Sequence, residues 1–363
     1  MFIRWICTKL YTRSMEKRTR ILILNYVMDL EHPLLAHQHA AVEKLAENFV
    51  EITVISGAIG RTQLPENVTL LNSNWVQSKR IPSAIRFMRL ALPLIYSRKF
   101  SIVFSHMVDV QAALISPFTK IARLRHIFWY AHTHPSLYLK FAHLFVDKVV
   151  TSTAGSCPIT GPKVEAIGQA IDISIFKPSG VRSYDSFNRL IHIGRFDKSK
   201  NIDQLIAAAE QLRKINPILT LTIVGNPSNN ASKLWANSVV DKSSANSDWL
   251  TFLPSIRRDD FPKVVSSFDI FFHAYLGSLD KVLVESTLTE IPVVSINPEY
   301  LTEFGSWGSH KDATLESEYC ALISRSSADI RGEIETRHRL AEAHHSESHW
   351  ISELTRILVA DHG

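Results

Sequence analysis

Gly194-Arg195-Phe196-Asp197-Lys198-Ser199-Lys200-Asn201 follows the apolar run Leu190-Ile191-His192-Ile193 and precedes a helical pattern, so Arg195 and Lys200 fall on a strand-to-helix loop. The arrangement recurs further along. Gly277-Ser278-Leu279-Asp280-Lys281-Val282-Leu283-Val284-Glu285 follows Asp269-Ile270-Phe271-Phe272-His273 and ends before Ile291-Pro292-Val293-Val294. Two such loops at the carboxyl ends of parallel strands form a place for an anion, with a diphosphate as the natural candidate.

Outward from these loops, short runs rich in Ile, Val and Phe alternate with helical patterns, the sign of a parallel α/β chain. Strands are expected at 20–25, 51–56, 68–71, 101–105, 126–130, 148–151 and 164–167, and then at 190–193, 220–224, 249–253, 270–273 and 293–296. The intervening helices bury one stripe each. Ile202, Leu205, Ile206, Ala209 and Leu212 form one such stripe, and Val42, Leu45, Ala46 and Phe49 another. Phe176-Lys177-Pro178-Ser179-Gly180 interrupts the alternation. The expected division is an extension over 1–19, a first doubly wound domain over 20–178, a second over 179–340 and a closing helical segment over 341–363. Two sheets joined at that point would face a cleft between their carboxyl ends, where ligands of such folds bind.

The 363 residues suffice for two ordinary cores, and 45% hydrophobic with 21% charged residues is a globular composition. A formal charge of +5 suits an acidic ligand or an anionic membrane surface, and equally a solvated face. Cys7, Cys157 and Cys320 have neither an even count nor metal-ligand spacing, so no disulfide framework or zinc site is expected and a reducing cytoplasm fits. Arg4 and Lys9 break the apolar N-terminal stretch, which therefore lacks a signal-peptide core, and Met15 offers a second start. No apolar run is long enough to span a bilayer. The basic amphipathic stretch Arg86–Tyr96 reads first as a helix packed on a sheet and second as a peripheral membrane contact. No Gly-x-Gly-x-x-Gly follows the first strand and no Gly-Lys-Ser/Thr loop occurs, which disfavours a nicotinamide dehydrogenase and a P-loop NTPase. No nucleic-acid partner is expected.

A guanidinium at 195 and an ammonium at 200 can hold two phosphate groups, the first as a planar fork and the second as a point charge. The competing reading is a solvated basic loop. Together with Leu221-Thr222-Ile223-Val224-Gly225, Phe252-Leu253-Pro254 and Phe268-Asp269-Ile270-Phe271, the two loops fall in the order seen in glycosyltransferase family 4 of the GT-B fold. Trp129-Tyr130-Ala131-His132 resembles that family's inter-domain His loop, and Gly168-Gln169-Ala170-Ile171-Asp172 lies within a stretch that resembles its turn into the second domain. The resemblance covers about residues 20 to 355 and rests on the ordered set of motifs.

That resemblance implies two Rossmann-like doubly wound domains facing a central cleft, with the C-terminal helix crossing back onto the first. It implies a retaining, metal-independent glycosyltransferase without a cofactor, using a nucleotide-diphosphate sugar and a glycan or lipid-linked acceptor of surface-polysaccharide or glycolipid synthesis. Arg195 and Lys200 would bind the diphosphate beside Gly194, and Glu285 would accept from the ribose hydroxyls, as an ionised carboxylate can. His132 would hydrogen-bond the donor sugar near the reacting carbon.

One position departs from the pattern. The family places a second Glu eight residues before Glu285, against the donor sugar, where this chain has Gly277. The donor loop is then Gly277, Ser278, Leu279, Asp280 and Lys281. Asp280 either caps the following helix or accepts from a sugar hydroxyl. Lys281 adds positive charge beside the diphosphate, next to the helix N-terminus. His37, His39 and His106 lie where such folds meet their acceptor, although a structural role suits each better. A nucleotide-sugar 2-epimerase and a catalytically silent nucleotide-sugar-binding protein remain alternatives.

Overall fold

The structure is a computed structural model and describes residues 19–32 and 35–360; the expected extension over 1–19, with Cys7 and the second start at Met15, lies outside them except for Thr19. The chain forms two compact units, one running up to Ile167 and resuming at Trp350, the other Gly168–His349. The division therefore falls before the Phe176–Gly180 segment, because Ile171 already pairs with Ser346 inside the second unit, with Ile171 N donating to His345 O at 2.8 Å.

The first unit holds seven parallel strands: β1 (Arg20–Met28), β2 (Glu51–Ile59), β3 (Val68–Asn72), β4 (Ile102–His106), β5 (Arg125–Trp129), β6 (Lys148–Thr151) and β7 (Val164–Ala166), in the order β3-β2-β1-β4-β5-β6-β7. Ile21, Leu22, Ile23 and Leu24 of β1 are all buried, so both faces of this interior strand are covered, which parallel sheets require. Helices α1 (Ala36–Ala46), α2 (Arg80–Tyr96), α3 (Asp109–Ile121) and α4 (Leu137–Phe145) connect the strands. Phe87, Ala91 and Ile95 recur on one face of α2 and join Leu22, Leu24 and Val103 in the core.

In the second unit β8 (Arg189–Ile193), β9 (Thr220–Val224), β10 (Leu250–Leu253), β11 (Ile270–His273) and β12 (Val293–Ser295) form a parallel sheet in the order β10-β9-β8-β11-β12. Its helices are α5 (Ile202–Arg213), α6 (Asn230–Lys242), α7 (Phe261–Val265), α8 (Lys281–Leu288), α9 (Pro298–Phe304), α10 (Leu315–Ile323) and α11 (Ser327–His345). Side chains alternate along each strand. Leu190 therefore packs with the stripe Ile202, Leu205, Ile206, Ala209 and Leu212 of α5, while Ile191 packs with Leu283, Val284 and Leu288 of α8 on the other face.

The last helix, α12 (Glu347–Val359), has most of its length in the first unit. Trp350, 1% exposed, seats its ring 5.4 Å from Trp129, 5.9 Å from His106 and 6.5 Å from Phe104. Arg125 Nε donates to Ile357 O at 2.9 Å. No helix among the described residues is long and apolar enough to cross a membrane.

Candidate active site

The chain leaves β8 for β9 and β10 on one side, then returns to β11 on the other, so the sheet changes direction between β8 and β11. Loops 194–201 and 274–280 leave the carboxyl ends of those two strands, the place where such sheets leave room for a ligand. Asn201, held at φ 52°, starts α5 and ties the loops together, its Nδ2 donating to Ala274 O at 2.9 Å.

The first loop is fixed through its backbone. Gly194 N donates to Val224 O at 3.0 Å and Phe196 N to Asn226 O at 3.0 Å. A Cβ on Gly225 would stand 1.8 Å from Gly194 O, so only glycine fits where these two strands' loops touch. Asp197 accepts from Ser228 Oγ at 2.8 Å and lies 3.4 Å from Arg195 Nη1. The Arg195 side chain is 49% exposed, which leaves the rest of its donor fork open to a ligand.

Lys200 is placed differently. Its side chain is 7% exposed, its ammonium pairs with Asp280, and it sits over the Tyr275 ring, 4.1 Å from the centroid. Asp280 is in turn held from behind. Asn297 N donates to Ser295 Oγ at 3.1 Å, Ser295 Oγ lies 3.2 Å from His273 Nδ1, and His273 Nε2 lies 3.4 Å from Asp280 Oδ2. With Ser295 donating to Nδ1, the imidazole carries its proton on Nε2 and offers it to the carboxylate. Burial lowers the His273 pKa against the pull of Asp280, which keeps the ring neutral. Burial pushes the Asp280 carboxyl up, but Lys200 and His273 outweigh it and hold the group well below the usual carboxylate range. The neighbouring His192 is also neutral, pushed down to about 3 by burial, with Nδ1 3.0 Å from Phe272 O.

The expected helix cap is therefore not made: Asp280 stands at the N-cap of α8 with no side-chain hydrogen bond to the helix backbone. A buried ammonium is a stronger partner for a carboxylate than a backbone N–H that water can reach. The same pairing means that Lys200 reaches the site with its charge already balanced.

Farther along α8, Lys281 and Glu285 lie one turn apart, and Arg258 Nη2 donates to Glu285 Oε1 at 3.1 Å. Burial raises the Glu285 pKa although Arg258 and Lys281 oppose it, and burial with Arg258 nearby drops Lys281 to about 8. Arg258 also stacks on Phe176, 5.0 Å from the ring centroid. Glu285 is thus a partly buried acceptor with one oxygen engaged, and not a solvated surface residue.

Between these groups the loop is clamped by Asn297. Its Nδ2 donates to Tyr275 O at 2.9 Å, Gly277 O at 3.1 Å and Ser278 O at 3.3 Å, while its Oδ1 accepts from Tyr300 N at 2.9 Å. Ser278 is buried, and the Leu279 side chain lies in the core with its carbonyl accepting from Gln169. At Gly277 a Cβ would stand 1.9 Å from the Tyr275 hydroxyl oxygen, so the phenol fills the space that a side chain there would take.

Arg195, Lys200, Asp280, Lys281 and Glu285 all belong to the second unit; His132 belongs to the first, exposed after β5, with its ring 5.9 Å from that of Tyr130. His39 is buried and accepts from Gln63 N at 3.2 Å, and His106 packs among Phe104, Trp129 and Trp350, in keeping with structural roles. The motifs did not single out Arg258, four residues beyond the Phe252-Leu253-Pro254 run, nor His273, Tyr275 and Asn297 as site residues. Tyr275 lies between the strand end and Gly277, which is the only signal for it.

Residues 176–309, wholly within the second unit, match the family described as glycosyl transferases group 1. Among curated proteins, none matches the chain by sequence. Anabaena HepE, solved in complex with UDP and glucose, is 14% identical, with 95% of this chain and 100% of that one covered at a TM-score of 0.69. A glycosyltransferase from Rickettsia africae ESF-5 is 13% identical over 95% and 100% of the two chains, TM-score 0.69. Sucrose-phosphate synthase from Thermosynechococcus elongatus is 13% identical over 94% and 98%, TM-score 0.68. At these identities the likeness is one of fold.

Proposed function

We propose, on the premise that this chain is a group 1 glycosyltransferase of the GT-B fold, that it moves a sugar from a nucleotide-diphosphate sugar to a glycan or lipid-linked acceptor, with retention and without a metal ion. The observation that carries this reading is the convergence of Arg195, Lys200 and the N-terminus of α8 at the β8/β11 switch, with Glu285 one turn further on. UDP is a ligand of the solved Anabaena protein, in keeping with such a donor.

In this reading Arg195 takes one phosphate with its open fork, and Lys200 takes the second once the ligand competes for it with Asp280. Glu285 accepts from the ribose hydroxyls, with Lys281 and Arg258 beside it. As the bond from the anomeric carbon to the phosphate oxygen breaks, the electron pair goes to the diphosphate, and preorganised cations with the helix dipole stabilise that charge. The acceptor oxygen bonds to the same face of the anomeric carbon and gives its proton to the departing phosphate. His132 serves as a positioner of the donor sugar. No resident cofactor has a part in these steps.

A cytoplasmic protein touching an anionic membrane surface completes the proposal. Between Glu66 and Asp109 the chain has no acidic residue but carries Lys79, Arg80, Arg86, Arg89, Arg98 and Lys99. On the outer face of α2, Ile81 is 76% and Ile85 49% exposed, an apolar edge among cations. Co-sedimentation with vesicles containing phosphatidylserine should fall on R80E/R89E; equal binding by the variant removes the membrane part.

For the reaction itself, a panel of UDP-, ADP- and GDP-sugars is offered with membrane lipids and oligosaccharides. Transfer gives free nucleoside diphosphate and a glycosylated acceptor, whereas an altered sugar supports the epimerase and binding without turnover the silent protein. Arg195→Ala should weaken binding of the accepted donor at least tenfold, from the loss of a charged hydrogen-bonding group. Unchanged affinity rejects the diphosphate site.

A further inference from the structure

The loop between β11 and α8 holds an aromatic side chain for which the reading above has no role. Tyr275 lies with its ring under the Lys200 ammonium, 4.1 Å from the centroid, and edge-on to His273, 6.4 Å between ring centroids at 89°. Its carbonyl is held by Asn297 Nδ2 at 2.9 Å. The ring is therefore fixed at both ends, by backbone and by cation.

The hydroxyl is the part left over. It occupies the space beside Gly277 that a side chain would claim, since a Cβ there would stand 1.9 Å from Oη and 2.1 Å from Cζ. Among the described residues no hydrogen bond engages it, and Tyr275 is only partly buried. A carboxylate in this space would lie close to Asp280, whose charge already balances Lys200, and like charges at short range oppose each other. A phenol avoids that conflict. It is neutral, it both donates and accepts, and its ring satisfies the cation above it.

We propose that Tyr275 is the specificity-determining residue for the donor sugar, its hydroxyl standing in for the carboxylate that Gly277 cannot supply. The inference rests on the nucleotide-sugar reading of the same site. The ligand class is the sugar of a nucleotide-diphosphate sugar, met by one neutral hydroxyl and the Asp280 carboxylate, with Lys200 and Arg195 on the phosphates. Glycine at 277 and tyrosine at 275 then form one device, because the small residue is what lets the phenol fold over Lys200.

The test separates sugar from phosphate. Affinities for UDP, ADP and GDP, and for UDP-glucose, UDP-galactose, UDP-N-acetylglucosamine, ADP-glucose and GDP-mannose, are measured by calorimetry on the wild type, Tyr275→Phe and Gly277→Ala. Tyr275→Phe keeps the ring over Lys200 and removes only the hydroxyl. For the best-bound donor it should lose roughly three- to tenfold in affinity, the worth of one neutral hydrogen bond, while the matching nucleoside diphosphate binds as in the wild type. Gly277→Ala, which pushes the phenol aside, should reduce the same sugar-dependent ratio. Equal loss for donor and nucleoside diphosphate, or no loss for either, overturns the role of Tyr275 and leaves the nucleotide site standing. Failure of the wild type to bind any of the probes overturns the nucleotide reading, and this inference with it.

Discussion

Asp280→Asn removes one charge from a pair that is buried on the Lys200 side and partly open at the carboxylate, with side chains 7% exposed for Lys200 and 21% for Asp280. Removing one member of a buried pair costs about 3–5 kcal/mol when the remaining charge has no partner. Here the amide keeps the size and one acceptor oxygen, and the site is partly open, so a loss of about 2–3 kcal/mol is expected. For a unit of this size that corresponds to roughly 5–10 °C in Tm. The pH dependence has a defined sign. Asp280 has a depressed folded pKa, so its contribution is present above the unfolded value near about 4 and is lost as pH falls through the folded one. The gap between wild type and variant should therefore stay constant from neutral pH down to about 4 and narrow below it. Binding should move the other way. With Lys200 released from Asp280, a diphosphate gains an unbalanced ammonium, and roughly tenfold tighter binding of the accepted nucleoside diphosphate would recover about 1.4 kcal/mol. Denaturant melts with and without the ligand, over a pH series, measure both effects. A variant as stable as the wild type at neutral pH, or one that binds the diphosphate more weakly, would refute the idea that Asp280 keeps Lys200 balanced until the donor arrives.

Three further outcomes concern the same unit. Donor affinity should decline as pH rises through about 8, where Lys281 loses its proton, and Lys281→Met should abolish that decline in a titration of binding between pH 7 and 9.5. Because burial lowers the Lys281 pKa, its protonated form is a folding penalty below about 8 that is relieved towards the unfolded value, so the wild type should gain stability over that interval while Lys281→Met does not. Asn297→Asp replaces the amide that donates to three loop carbonyls with a group that cannot donate when ionised. It should cost about 2–4 kcal/mol and raise hydrogen exchange across 275–281 while β8 remains protected; unchanged exchange there would show that the loop is held by other means.

The strands were legible because parallel strands covered on both faces read as short apolar runs, and Leu190–Ile193 or Ile270–His273 could hardly be anything else between helical patterns. The loops were legible by charge and order, which is why Arg195, Lys200 and Glu285 stood out. Their partners were not. Lys200 and Asp280 are 80 residues apart, and nothing in either segment says that the ammonium turns inward to the carboxylate. The cap reading of Asp280 relied on local preference, which a buried cation overrides. Tyr275 escaped notice for a related reason: that its ring folds back over Gly277 depends on a rotamer chosen by Lys200, and no spacing rule carries that.

The first unit is assembled from two separated stretches of chain, and its closing piece is the last to be made. Phe104, His106 and Trp129 form three sides of an aromatic box whose fourth side is Trp350. During synthesis from the N-terminus, the whole of Gly168–His349 emerges before that wall exists. The second unit is continuous and can seal its core while the first still exposes an aromatic hollow. Chain order thus sets a timetable in which the second unit matures first, and a chain ending short of Trp350 would leave the box open however well the rest had folded.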